Sequence, residues 1–164
     1  MKTLLILRHA KSDWDQPGVG DHDRTLSPRG KRDAPRVGQW LRDEHLVPDL
    51  IISSSAKRAR KTAKLVADTS GYEGEIRLEG ELYMAGAEAY LDALREAPDA
   101  CQCVMVVGHN PGLEELLETL TGEAEALPTA ALAQIALPIA SWQELGEDIE
   151  GELVRLWLPR AEDA

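Results

Sequence analysis

The chain contains no phenylalanine, and aromatic residues make up only 4% of it. Its core must therefore rest on Leu, Val, Ile and Ala. Two cysteines occur, Cys101 and Cys103, one residue apart. That spacing is neither a CxxC motif nor a disulfide framework, so two reduced thiols at the start of a strand are expected. No apolar run approaches the roughly 20 residues of a membrane-spanning helix. The opening Met-Lys-Thr-Leu-Leu-Ile-Leu imitates a signal peptide, but Arg8 cuts its apolar part after four residues, so no leader is expected. Basic residues are also scarce: 18 Lys and Arg against 29 Asp and Glu give a formal net charge of -11. This argues against a nucleic-acid binder, which carries a basic face. It leaves room for a local cationic cluster around an anionic substrate. With no internal repeat, low-complexity tract or linker, residues 1–164 read as one cytoplasmic domain, with no membrane association.

What is present is a rhythm of short apolar runs and amphipathic stretches. Residues 3–7 (TLLIL) and "DLIIS" at 49–53 are apolar on both faces, as central parallel strands are, and "CVMVVGHNPG" at 103–112 is a third buried strand feeding a turn. Ser27-Pro28 predicts the start of a helix reaching about Glu44, with Pro35 predicting a kink or a later start. Serines 53–55 are expected to cap a helix over 57–70 that Gly71 stops. A short strand around Ile76 and Leu78 follows, then a helix marked by Ala87, Tyr90, Leu91 and Leu94 that ends at Pro98. Asn110-Pro111 opens another helix, and "ALAQIALPI" and "GELVRLWLP" predict an antiparallel strand pair. The order β-α-β-α-β-α-β-α-β-β predicts a three-layer α/β/α sandwich with a mostly parallel central sheet.

In such sheets ligands sit beyond the carboxyl ends of the strands. Three predicted strands put polar residues there: Arg8-His9, the serines followed by Arg58, and Gly108-His109-Asn110. Two imidazoles and two guanidinia at one sheet edge suit a phosphoryl group, because arginine's planar fork matches its oxygens. Cations beside a histidine disfavour its protonated form and leave it nucleophilic. Asp21-His22-Asp23 matches no metal-ligand spacing and reads as a solvated loop, so no metal and no cofactor are expected.

The segments "LRHAKS", "SSSAKRARKTA" and "VVGHNPG" resemble the signature segments of the histidine phosphatase superfamily, which has the phosphoglycerate-mutase-like fold. The match is best to its small SixA-type phosphohistidine phosphatase branch, and "DHDRTLSPRGKRDAP" and "ELYMAGAEAYLDALRE" extend it. The resemblance implies that His9 is the nucleophile that becomes phosphorylated. Arg8 and Arg58 are then phosphate clamps, and His109 is the second pocket histidine. Lys11, Ser12, Arg24 and Asn110 are candidate substrate contacts. Ala10 stands where many relatives have glycine. Larger relatives carry a glutamate general acid after the second helix, and here Glu81 is the preferred candidate over Glu79.

The resulting expectation is a metal-independent phosphatase with a covalent phosphohistidine intermediate. Its partner is a phosphorylated protein or a small phosphate ester, and a monomer is the simplest assembly. The absence of a long insertion that could form a lid favours a protruding phosphorylated side chain. A small-molecule phosphomonoesterase is the alternative within the family. A non-catalytic phosphate-binding module has no need of His9, and a mutase needs a lid.

Overall fold

The structure is a computed structural model that describes residues 1–14 and 16–159. Its strands are β1 (Lys2–Arg8), β2 (Leu50–Ser54), β3 (Ile76–Glu79), β4 (Cys103–Gly108), β5 (Leu132–Leu137) and β6 (Glu152–Trp157). Its helices are α1 (Pro28–Asp43), α2 (Lys57–Ser70), α3 (Ala87–Arg95) and α4 (Gly112–Thr121). The strands form one six-stranded sheet in the order β3-β2-β4-β1-β5-β6. The first four run parallel, and β5 and β6 add antiparallel at one side.

Side chains alternate across a strand, so the all-apolar runs feed two cores. Leu5, Leu7, Ile51, Met105 and Val107 pack beneath α1 and α2 with Val37, Leu41, Ala63 and Val66. Leu4, Ile6, Ile52, Val104 and Val106 face the other way, against Leu91, Leu94, Leu113 and Leu117 of α3 and α4. Covering a parallel sheet on both faces in this way gives the expected three layers.

Helix α1 starts at Pro28 under an Ser27 cap whose side chain accepts from the Gly30 N–H, and it runs unbroken through Pro35. An interior proline costs a backbone hydrogen bond, about 3 kcal/mol with its steric clash. Burial of Ala34, Val37 and Leu41 against α2 offsets that loss. The serines do not cap α2: its N-cap is Ala56, with no side-chain hydrogen bond. Ser53 and Ser54 instead finish β2, wholly buried. Among the described residues, no helix is long and apolar enough to cross a membrane.

Candidate active site

The register of the parallel sheet builds the site. Arg8 pairs with Gly108 across β1 and β4, so the two strands release His9 and His109 side by side. The His9 N–H donates to the Gly108 carbonyl at 3.1 Å, and the two imidazole centroids lie 5.2 Å apart. Gly108 is required here because a Cβ would stand 2.1 Å from the Tyr90 hydroxyl oxygen, which accepts the His109 N–H at 3.0 Å.

His9 Nδ1 lies 2.8 Å from the Ala10 carbonyl oxygen. A carbonyl only accepts, so Nδ1 carries the proton and the Nε2 lone pair is left for the cavity. Burial pushes the His9 pKa down to about 3, with His109, Arg58 and Arg8 adding smaller repulsions. Neighbouring cations were the expected cause of a neutral imidazole, but desolvation is the larger one. The Ala10 N–H donates to Thr62 Oγ1 at 3.0 Å, which fastens the loop after His9 to α2.

His109 Nε2 sits 2.8 Å from Ser54 Oγ, which also accepts the Ala56 N–H at 3.2 Å. The serine hydroxyl hydrogen then has His109 Nε2 as its acceptor, and leaving it unpaired inside the protein would cost about 1–3 kcal/mol. That places the His109 proton on Nδ1, a buried donor with no partner among the described residues. Burial, and next Arg58, push this histidine's pKa down to about 4.

A cavity of about 470 Å³ opens over these rings. Arg8, His9, Lys11, Ser12, Arg24, Arg58, His109 and Asn110 all line it, so eight of the nine residues singled out in the sequence come together. Within it Arg24 donates to Ser12 Oγ and stacks on the Trp14 ring, its guanidinium carbon 3.4 Å from the ring centre. Asn110 gives its amide hydrogens to Glu114 and to the Leu127 carbonyl, tying α4 to the segment before β5. Arg8 donates to that same carbonyl at 3.0 Å.

Glu81 is the exception. It lies exposed on a 3-10 turn, Gly80–Leu82, outside the cavity lining, because that turn buries Leu82 and directs Glu81 to solvent. Two residues on, Tyr83 reaches inward and donates to Asp21 Oδ2.

Asp21, on a loop that stays exposed as expected, also lines the cavity. Its Oδ1 accepts from Arg24 Nε at 3.1 Å and Nη2 at 2.9 Å, and its Oδ2 accepts from Arg58 Nη2 at 3.1 Å. Arg58 Nη1 donates to its main-chain oxygen at 2.7 Å. The Tyr83 hydroxyl, then the two arginines, hold this carboxyl well below the usual carboxylate range. His22 docks the same loop through Ser55 Oγ at 2.9 Å. Among the described residues, no three or more His, Cys, Asp or Glu side chains group to hold a metal ion.

The comparisons fit this geometry. The family model of the histidine phosphatase superfamily (branch 1) matches residues 4–83. A solved chain from Agrobacterium tumefaciens, assigned as a phosphohistidine phosphatase SixA, is 31% identical with a TM-score of 0.82, over 96% of this chain and 98% of that one. The chain belongs to the histidine phosphatase superfamily. A second solved SixA assignment, from Nakamurella multipartitia, is 28% identical with a TM-score of 0.84, each chain 96% covered. An uncharacterized chloroplastic protein of Arabidopsis thaliana is 35% identical over 87% of this chain and 70% of its own. This histidine phosphatase therefore has a SixA-type fold, and it is a phosphatase by kinship with that branch.

Proposed function

We propose that this phosphatase hydrolyses phosphohistidine on proteins, without a metal ion, through a phosphoryl group carried transiently on His9. The observation that carries the reading is the Nδ1 bond of His9 to the Ala10 carbonyl, which aims a neutral Nε2 into a cationic cavity. Nε2 attacks phosphorus in line and the bond to the leaving group breaks. Arg8, Arg58 and His109 hold the equatorial oxygens as charge shifts onto them. Water then attacks the phosphorus of phospho-His9, and the phosphate departs. The positive field that a metal would supply comes from guanidinium and ammonium groups.

The leaving group separates substrate classes. An alkoxide needs a proton as it departs, whereas a phosphorylated imidazole is protonated on its other ring nitrogen beforehand. Asp21 is held ionised by its partners and Glu81 lies outside, so neither supplies a proton. Kinship with two chains assigned as SixA phosphohistidine phosphatases supports the same choice. A monoesterase is the second reading. Glu115 favours it, as an exposed carboxylate lining the cavity.

The test compares a histidine-phosphorylated protein with an aryl phosphate, for wild type and His9→Ala, with and without EDTA. Phosphoprotein turnover that vanishes in the variant and ignores EDTA is expected. Turnover surviving in His9→Ala removes the nucleophile, and turnover of the aryl phosphate alone selects the monoesterase.

A further inference from the structure

Charge is segregated in this fold. Helices α1 and α2 carry ten of the chain's 18 Lys and Arg but three of its 29 Asp and Glu. Helices α3 and α4 carry five acidic residues and a single base, Arg95. The catalytic cavity opens between these two unlike faces.

Beside it lies a second groove of about 420 Å³, lined by Thr25, Leu26, Lys31, Lys57, Lys61 and Leu65. No acidic residue lines it. Among the described residues, the three ammonium groups have no hydrogen bond or ion pair. By contrast Lys64, one turn on, is paired with Asp68 at 3.4 Å. Unneutralised like charges facing one groove repel, and the local positive potential stands against a net charge of -11. Leu26 and the half-buried Leu65 give the groove an apolar floor.

The groove is continuous with the catalytic cavity. Arg24 lines the cavity while its neighbours Thr25 and Leu26 line the groove. Arg58 lines the cavity while Lys57 lines the groove. Leu26 is also bridged to Ser12, a cavity residue. A macromolecule with its phosphoryl group over His9 would lay its neighbouring surface on the three lysines.

We infer that this lysine groove docks an acidic, partly apolar segment of the phosphoprotein substrate, next to the phosphorylated side chain. The inference rests on the phosphoprotein reading above. Charge complementarity selects the acidic segment, and Leu26 and Leu65 take an apolar side chain from it. A protein segment fits better than a nucleic acid or a membrane. Those extended polyanions carry far more charge than three lysines neutralise, and the net charge of -11 repels the remainder, a cost that a short segment avoids. Rim charges of this kind act chiefly on association rate and salt dependence.

Two helical peptides of equal length serve as probes, each with one central histidine, one flanked by Glu and Leu and the other by Lys and Leu. Binding of the unphosphorylated forms is followed by fluorescence anisotropy. Turnover is measured after phosphoramidate treatment, with an aryl phosphate as the small substrate. The acidic peptide is expected to bind and turn over roughly tenfold better at low salt, a preference that 0.5 M salt removes. Lys31→Glu/Lys57→Glu/Lys61→Glu should reverse the preference and leave aryl phosphate turnover unchanged, and the milder Lys31→Gln/Lys57→Gln/Lys61→Gln should abolish it. Equal binding of both peptides, or a preference surviving in both variants, overturns the docking surface. So does tighter binding of an oligonucleotide or an anionic vesicle that the variants lose. Selective binding without phosphohistidine turnover would sink the catalytic reading and leave the docking surface standing.

Discussion

Arg8 and Gly108 face each other across two parallel strands, and each is followed by a histidine. The pairing of β1 with β4 therefore sets the 5.2 Å separation of the two imidazole centroids before any loop contributes. Slipping that register by one residue would turn the core side chains of β1 to the wrong face. The spacing of the two histidines and the hydrophobic core are thus held by the same hydrogen bonds.

Stability should fall as pH drops from 7 to 5.5. His9 and His109 have folded pKa values pushed to about 3 and about 4, mainly by burial, below the usual 6.5. Between those values and 6.5 the unfolded chain binds protons that the folded chain refuses, so stability is full above 6.5 and is lost on acidification. For the pair the loss is about 2.5 kcal/mol by pH 5.5, above the carboxylate range. Urea unfolding at both pH values measures it. His9→Asn should flatten the dependence by about half, and an unchanged slope would contradict the assignment.

Ser54→Ala should lower kcat/KM roughly tenfold, the worth of one lost hydrogen bond of about 1.5 kcal/mol. The imidazole of His109 would then sample both tautomers. Its ring ¹⁵N shifts should move from an Nδ1-protonated pattern toward a mixture, and unmoved shifts would show that the serine does not set the proton.

Thr62→Val keeps the side chain's shape but leaves the Ala10 N–H without its acceptor. A buried unpaired donor costs about 1–3 kcal/mol, readable in urea unfolding. Phosphoryl transfer should slow as well, since Ala10 carries the carbonyl that orients His9.

Asp21→Ala removes the common partner of Arg24 and Arg58. Two opposed effects follow. The cavity becomes more positive, so inhibition by inorganic phosphate should strengthen severalfold. The Arg58 fork loses its orientation, so kcat should fall about tenfold, as loss of positioning does. Steady-state kinetics with phosphate as inhibitor reads both, and a rise in kcat would mean that Asp21 blocks the clamp instead of steadying it.

Much of this was legible because chemistry sits where apolar runs stop. "LLILRH" and "VMVVGHN" each announce a buried strand and the residues at its carboxyl end, and the sheet had only to bring the ends together. Asp21 could not be read in that way. Its partners lie 3, 37 and 62 residues distant, and only the docked loop joins them. Glu81 rests on resemblance to larger relatives, and its neighbour Tyr83 is the residue that reaches inward. A single 3-10 turn decides which of the two faces inward, and no local pattern distinguishes them. Ser54 reads as a helix cap by its position before α2, yet one residue of extra strand turns it toward His109.

Gly30 of α1 lies so close to the Lys11 carbonyl that a Cβ would sit 2.1 Å from its oxygen, which also receives the Ser27 N–H. The first turn of the helix is thus the seat of the loop that follows His9. A disturbance at Val37 or Leu41, on the far stretch of α1, would tilt that seat and reach phosphoryl transfer without touching the cavity. Warming should therefore dull the enzyme while its sheet is still whole.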